Sequence, residues 1–345
     1  MPTTEVSSMS AAHFFHFSGK GIRTEFPTID KALKARQGGG FIWLAFTAPE
    51  RDELSRITQT LPIHPLSIED CFDMDQIPKI DIFTEYTSIL FNDFSFSGNE
   101  ILISEINLFL GSDFLITVTR EETDAHYPLE TILEELEQDT AFSAAHSHQG
   151  PSYVMHIILD HIVDAKFHAV ESVEDEIIAF EDCIVTGDRA INLGELQCAR
   201  RKLIDMRKSL FHEREVFARM CRRDSKFIPE SAIIFYSDIY DHLTKFVETV
   251  ETNREMVTSL VQMNLSISNN AMTEAANKTN RSVSRLTLIT TIFMPLTLIA
   301  GIGGMSEWSM MTGPDNWKVS YPILLGIMAV VGIVNFIILK WIDRK

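Results

Sequence analysis

"LTLITTIFMPLTLIAGIGGM" (residues 286–305) runs for twenty positions without a charged side chain. As a helix it rises about 30 Å, the depth of a bilayer's hydrocarbon core. A second stretch, "YPILLGIMAVVGIVNFIIL" (321–339), follows after a short loop. A helix that is apolar on every side over this length is either a membrane span or a deeply buried core helix, and two in succession predict a pair of spans. Arg281 and Arg285 precede the first, Lys340, Arg344 and Lys345 follow the second, and the loop holds Lys318 alone. The excess of basic residues on one side predicts that both termini face the cytoplasm.

Working outward, the expected organisation is an N-terminal cytosolic α/β domain (1–150) and long cytosolic helices (151–285). The two spans (286–305 and 321–339), an external loop (306–320) and a cytosolic tail (340–345) follow. In the first part, residues 41–47, 86–96, 101–110 and 114–120 carry the β-branched and aromatic enrichment of strands, and helical pattern appears at 49–60, around 65–73 and at 127–138. From Tyr153 the period changes to about 3.6, with breaks near Gly187 and Pro229. Nothing interrupts the run from Glu230 into the first span, which predicts one helix of more than about 60 residues. The fold class is therefore an α/β domain plus a long-helix assembly with two C-terminal transmembrane helices, mostly α overall. Charge along the cytosolic helices reads as a solvated face.

The chain carries 30 Lys and Arg against 48 Asp and Glu, a formal charge of −18. That balance argues against nucleic acid, which needs surplus cation, and suits cations as ligands. Cys71, Cys183, Cys198 and Cys221 have no paired spacing and read as reduced thiols. The opening "MPTTEVSSMSAAHFF" lacks the pattern of a signal peptide. No metalloprotease, nucleophile-elbow, nucleotide-loop or dinucleotide motif occurs, so no enzyme class is supported.

Two helices cannot enclose a water-filled path alone, so ion transport requires an oligomer with the path on its axis. On the first span Asn280, Val283, Thr287, Thr290, Met294, Thr297, Gly301 and Gly304 recur at steps of three and four. This polar, small-residue stripe reads as pore lining, and close helix packing in lipid is the alternative. On the 153–187 helix, His156, Asp160, His161, Asp164 and His168 sit at helical spacing. Two or three could meet on one face and hold Zn²⁺, Co²⁺ or Ni²⁺, or they are simply the polar face of an amphipathic helix.

Three stretches resemble the CorA-type divalent cation channels of prokaryotic membranes: "IHPLSIEDCFDMDQIPK" (63–79), "SDIYDH…TVETNRE" (237–255) and "NKTNRSV…TLITTIFMPLTLIAGIGGM" (277–305), with a second span opening on Tyr321-Pro322. The resemblance covers nearly the whole chain in order. It implies a homopentamer in the cytoplasmic (inner) membrane, passing Mg²⁺ and in some members Co²⁺, Ni²⁺ or Zn²⁺. It also implies regulatory metal sites between subunits, whose matching residues are Glu69, Asp70, Asp160 and Asp238. On the pore axis it implies Asn280, Val283, Leu286, Thr290, Met294, Thr297 and Gly301, with a selectivity mouth at Gly304, Met305, Ser306 and Glu307. Val283, Leu286 and Met294 would be apolar constrictions, while Asn280 and the threonines would face hydrated ions.

At the mouth the chain departs from the family. Members end the first span on Tyr-Gly-Met-Asn, whereas Gly303, Gly304, Met305 and Ser306 stand here. Mg²⁺ sheds water reluctantly, so the shorter Ser306 hydroxyl makes a wider ring around a hydrated ion than an Asn carbonyl would. Alternatives are a Zn²⁺ transporter of the family's zinc-transporting branch, with or without proton coupling, and a non-conducting, membrane-anchored cation sensor.

Overall fold

The computed structural model describes residues 11–19, 22–73, 76–97, 100–120, 129–138, 150–187, 191–304, 313 and 316–342. The chain divides into two compact units, Met1–Met263 and Asn264–Lys345.

The first unit is built on a seven-stranded sheet. Its strands are β1 (Ala11–Phe17), β2 (Arg23–Phe26), β3 (Phe41–Thr47), β4 (Lys79–Ile82), β5 (Tyr86–Ser97), β6 (Glu100–Gly111) and β7 (Phe114–Thr119), in the order β2-β1-β3-β7-β6-β5-β4. All neighbours are antiparallel except β3 and β7, which pair in parallel with Ile42 opposite Phe114 and Phe46 opposite Val118. In "FIWLAFT" the six residues Phe41–Phe46 are apolar and buried because both faces of β3 are covered. Phe41, Trp43 and Ala45 join one core, while Ile42, Leu44 and Phe46 join the other.

Short helices α1 (Ile29–Arg36), α2 (Arg51–Ile57) and α3 (Pro65–Asp70) contribute to the second core together with Leu61 and Ile63. Helix α3 begins on His64, whose Nδ1 accepts the Leu66 amide at 3.2 Å, with Pro65 at the first helical position. The first core takes α4 (Leu129–Gln138), α5 (Pro151–Thr186), α6 (Leu193–Cys221) and the start of α7 (Ile233–Gly303). Helix α5 ends at Gly187, whose φ of 70° is the left-handed conformation glycine adopts freely. The Asn192 carboxamide caps α6 by accepting the Gly194 amide at 3.0 Å.

The expectation that helix charge is solvent-facing fails at three places. Lys166 on α5 and Glu213 on α6 are fully buried and paired at 2.6 Å, with the Lys166 ammonium 3.8 Å from the Phe91 ring centre. Lys202 is also buried and reaches Glu176 at 2.7 Å. Helical spacing places a charged residue on a face but does not say what covers that face.

Helix α7 follows a 3₁₀ turn at Glu230–Ala232 and runs unbroken for 71 residues. Tyr236, Ile239, Leu243, Phe246, Val250, Val257 and Leu260 are buried at steps of three, four and seven, which docks this part on the first unit. Tyr236 donates its hydroxyl to the Ser152 carbonyl at 2.7 Å, tying α7 to the first turn of α5.

The second unit pairs the remainder of α7 with α8 (Trp317–Ile342). Both helices are long and apolar enough to cross a membrane, and none of either apolar window is buried within the chain.

Candidate ion pathway and regulatory carboxylates

From Leu286 onward, the half-covered positions of α7 are Leu288, Ile292, Pro295, Leu296, Ile299 and Gly303, and those of α8 are Ser320, Leu324, Met328, Val331, Gly332, Asn335 and Leu339. These two stripes meet: a Cβ on Gly303 would lie 2.6 Å from Leu324 Cδ2, and one on Gly332 would lie 3.7 Å from Leu296 Cδ1. Gly303 stands where the family's aromatic residue was expected, and Leu324 of α8 fills the adjoining space.

The expected pore residues Asn280, Val283, Leu286, Thr290, Met294, Thr297 and Gly301 all lie on α7 and are all exposed. Thr290, Met294, Thr297 and Gly301 are each two residues from a half-covered position, or about 200° around the helix at 100° per residue. The stripe therefore faces away from α8. The Thr290 and Thr297 hydroxyls donate to the carbonyls of Leu286 and Phe293 at 2.9 and 2.8 Å. With each hydroxyl hydrogen held inside the helix, the oxygen is left to accept from the water shell of a cation. Pro295 lacks an amide hydrogen and with Met294, Leu298, Gly301 and Ile302 lines an open hollow on this part of the helix. Gly304 forms the turn after the helix, its amide donating to the Ala300 carbonyl at 3.0 Å. Met305, Ser306 and Glu307 lie outside the described residues.

The four expected regulatory carboxylates are in the first unit. Glu69 is exposed and 3.3 Å from Arg51. Asp70 accepts from Lys79 at 2.7 Å, and its backbone carbonyl accepts from the Gln76 side chain. Asp160 of α5 and Asp238 of α7 are close enough to repel. Burial, then Asp164, then Asp238 push the Asp160 carboxyl up to about 6, against the opposing pull of His161. Glu135 of α4 accepts from His161 at 2.5 Å, a partner that sequence spacing could not locate because it comes from a separate helix.

The three histidines of α5 do not converge. His156 stacks on Phe235 with centroids 5.0 Å apart, and burial lowers its imidazole to about 4. His161 turns to Glu135, and His168 to Glu171 at 3.8 Å. Among the described residues no group of three His, Cys, Asp or Glu side chains is gathered to hold a metal. A single chain thus brings Asp160 near Asp164 and Asp238, but no closed metal cage is formed from its described residues alone.

A sheet-based unit and two unburied apolar helices, the first being the end of the 71-residue α7 and carrying an outward polar stripe, define a two-span membrane protein of the ion-transport class. The family profile described as "CorA-like Mg2+ transporter protein" matches residues 38–341, and the chain belongs to that divalent-cation transporter family. It is 28% identical over 340 residues to the cobalt/magnesium transport protein CorA of Thermotoga maritima, spanning 97% of this chain and 90% of that one. It is 22% identical over 300 residues to the zinc transport protein ZntB of Yersinia pseudotuberculosis, spanning 86% of this chain and 85% of that one. The complete structure of the CorA magnesium transporter from Methanocaldococcus jannaschii shares the fold, with a TM-score of 0.69, 19% identity and 98% of each chain covered.

Proposed function

We propose that the chain assembles as a homopentameric channel in the cytoplasmic membrane, both termini in the cytosol, and passes Mg²⁺, with Co²⁺ or Ni²⁺ as further cargo, passively inward. The observation that carries this reading is the stripe from Asn280 to Gly301, exposed on the side of α7 opposite α8. In a ring of copies that side can face a common axis while α8 meets lipid. Thr290 and Thr297 then present oxygens to a hydrated ion, and Val283, Leu286 and Met294 narrow the path enough to expel water when closed. Gly304, Met305 and Ser306 form the mouth, and Glu307 raises the local cation concentration before entry.

Regulation is assigned to Glu69, Asp70, Asp160 and Asp238. Carboxylates that form no cage in one chain become a site when a neighbouring copy brings its own against them, and Mg²⁺ offsets the repulsion that, after burial, already raises Asp160. Asp238 lies on the same continuous helix as the pore stripe, so loss of the cation releases the element that lines the path.

The Zn²⁺ reading has less support, since the α5 histidines point to separate partners. Reconstituted vesicles loaded with a Mg²⁺-sensitive dye test the proposal. Mg²⁺ entry above that of empty vesicles is expected, and Thr297→Val slows it. No flux of Mg²⁺, Co²⁺ or Ni²⁺ overturns the channel reading. Mg²⁺ flux found only after Ser306→Asn shows that the native mouth does not serve Mg²⁺.

A further inference from the structure

Helices α5 and α6 carry two segments whose charges mirror each other. In "EDEIIAFED" (174–182) of α5 and "RRKLIDMRK" (200–208) of α6, acidic residues in the one and basic residues in the other fill the same first, second, third, eighth and ninth positions. Ile178 and Ile204 stand at the two centres. The third pair meets within the chain, Lys202 reaching Glu176 at 2.7 Å. With Lys166 on Glu213, that contact shows α5 and α6 running antiparallel. At 100° per residue, the remaining charges and central isoleucine of each segment centre on a direction about 160–170° round the helix from these contacts. The acidic face of α5 and the basic face of α6 therefore lie on opposite sides of the helix pair.

Both faces are open. Ile178 is 44% and Ile204 48% exposed. Arg207 is held by Glu251 of α7. Among the described residues, Arg200, Arg201, Lys208 and the four outward carboxylates of α5 form no ion pair. Like charges gathered on one face repel, and an isoleucine among them gains from leaving water. A partner of one charge sign answers one face, whereas a second copy of this chain answers both. Complementary surfaces on opposite sides of a protomer are the condition for a head-to-tail ring. Helix α5 runs with α7, since His156 stacks on Phe235 and Phe167 lies near Phe246. Helix α6 runs against it, with Phe217 near Tyr236 and Arg207 on Glu251. Rotation about an axis along α7 preserves these directions, so α6 of one copy meets α5 of the next antiparallel. The register centred on the two isoleucines then sets Glu174 against Lys208, Asp175 against Arg207, Glu181 against Arg201 and Asp182 against Arg200.

We propose that α6 of each copy docks through this face on α5 of its neighbour, closing an outer belt of helices around the α7 ring. The inference rests on the ring assembly proposed above and not on ion conduction. The test is disulfide trapping in the full-length protein in detergent, with Ile178→Cys and Ile204→Cys in one chain and Cys183, Cys198 and Cys221 changed to Ser. The two positions point apart within a chain, so oxidation is expected to give a ladder of linked copies, and neither single-cysteine protein gives one. Arg201→Glu with Lys208→Glu, both at exposed positions, slows linking by on the order of tenfold, and adding Glu174→Lys with Glu181→Lys restores it. No ladder, a ladder from either single-cysteine protein, or no rescue by the second charge reversal each overturns the proposal. Oligomeric mass and Mg²⁺ flux are measured on the same preparations. A conducting pentamer without a ladder overturns this contact alone, whereas a monomeric protein overturns the ring and the contact together.

Discussion

Replacing Asp160 by Asn removes a carboxylate that the fold holds at a disadvantage. Its pKa stands at about 6 against 3.8 for the free group, chiefly through burial and then the charges of Asp164 and Asp238. Between those values the folded state binds more protons than the unfolded one, so stability falls as pH rises, and above about 6 the full penalty is in force. Two pH units correspond to about 3 kcal/mol, and water at this half-buried site screens that to about 1–2 kcal/mol. Asp160→Asn should therefore stabilise the metal-free protein at pH 7.5 by that amount. For a unit of this size the melting temperature rises by about 2–8 °C. The gain should vanish near pH 4, where the wild-type carboxyl is already protonated in the fold. Thermal melts followed by near-ultraviolet circular dichroism in EDTA, at both pH values, measure it. Added Mg²⁺ should raise the wild-type melting temperature more than that of the variant. A variant that is neutral or less stable at pH 7.5, or that gains equally at pH 4, refutes the claim that ionised Asp160 is strained by its neighbours.

Three further outcomes follow from the packing. Lys166→Met strands the buried Glu213 and should cost about 3–5 kcal/mol in urea unfolding, while adding Glu213→Leu should recover most of it. Cys71 is 1% exposed and its thiol is pushed up to about 12, mainly by burial, so an aromatic disulfide reagent at pH 8 should leave it untouched in the native protein while reacting with the partly exposed Cys183, Cys198 and Cys221. Gly303→Ala should be tolerated because the Leu324 side chain can turn away, whereas Gly303→Ile should cost about 1–3 kcal/mol in detergent melts and be relieved by Leu324→Ala.

Much of the architecture was legible in the residues. Apolar runs without charge located both membrane helices, and the absence of breakers after Pro229 announced α7, observed from Ile233 to Gly303. Strand β3 was readable because a strand covered on both faces is apolar at six successive positions, Phe41 to Phe46, before the half-buried Thr47. The parallel pairing of β3 with β7 was not readable, because it joins segments far apart in the chain and no local pattern encodes it. Of the candidate sites, the polar stripe on α7 was visible because its spacing is local. The crowding of Asp160 by Asp238, the His161–Glu135 contact and the Lys166–Glu213 pair were not, since each depends on which helices meet.

That parallel pair also has a kinetic consequence. On the ribosome "FIWLAFT" emerges well before its β7 partner, and antiparallel β1 can shield only one of its edges meanwhile. The centre of the sheet is thus completed late and by a long loop closure, the slow kind of contact in which an apolar strand awaits its neighbour. Chaperone demand in biogenesis should fall on this window of synthesis, between β3 and β7, before either membrane helix has left the exit tunnel.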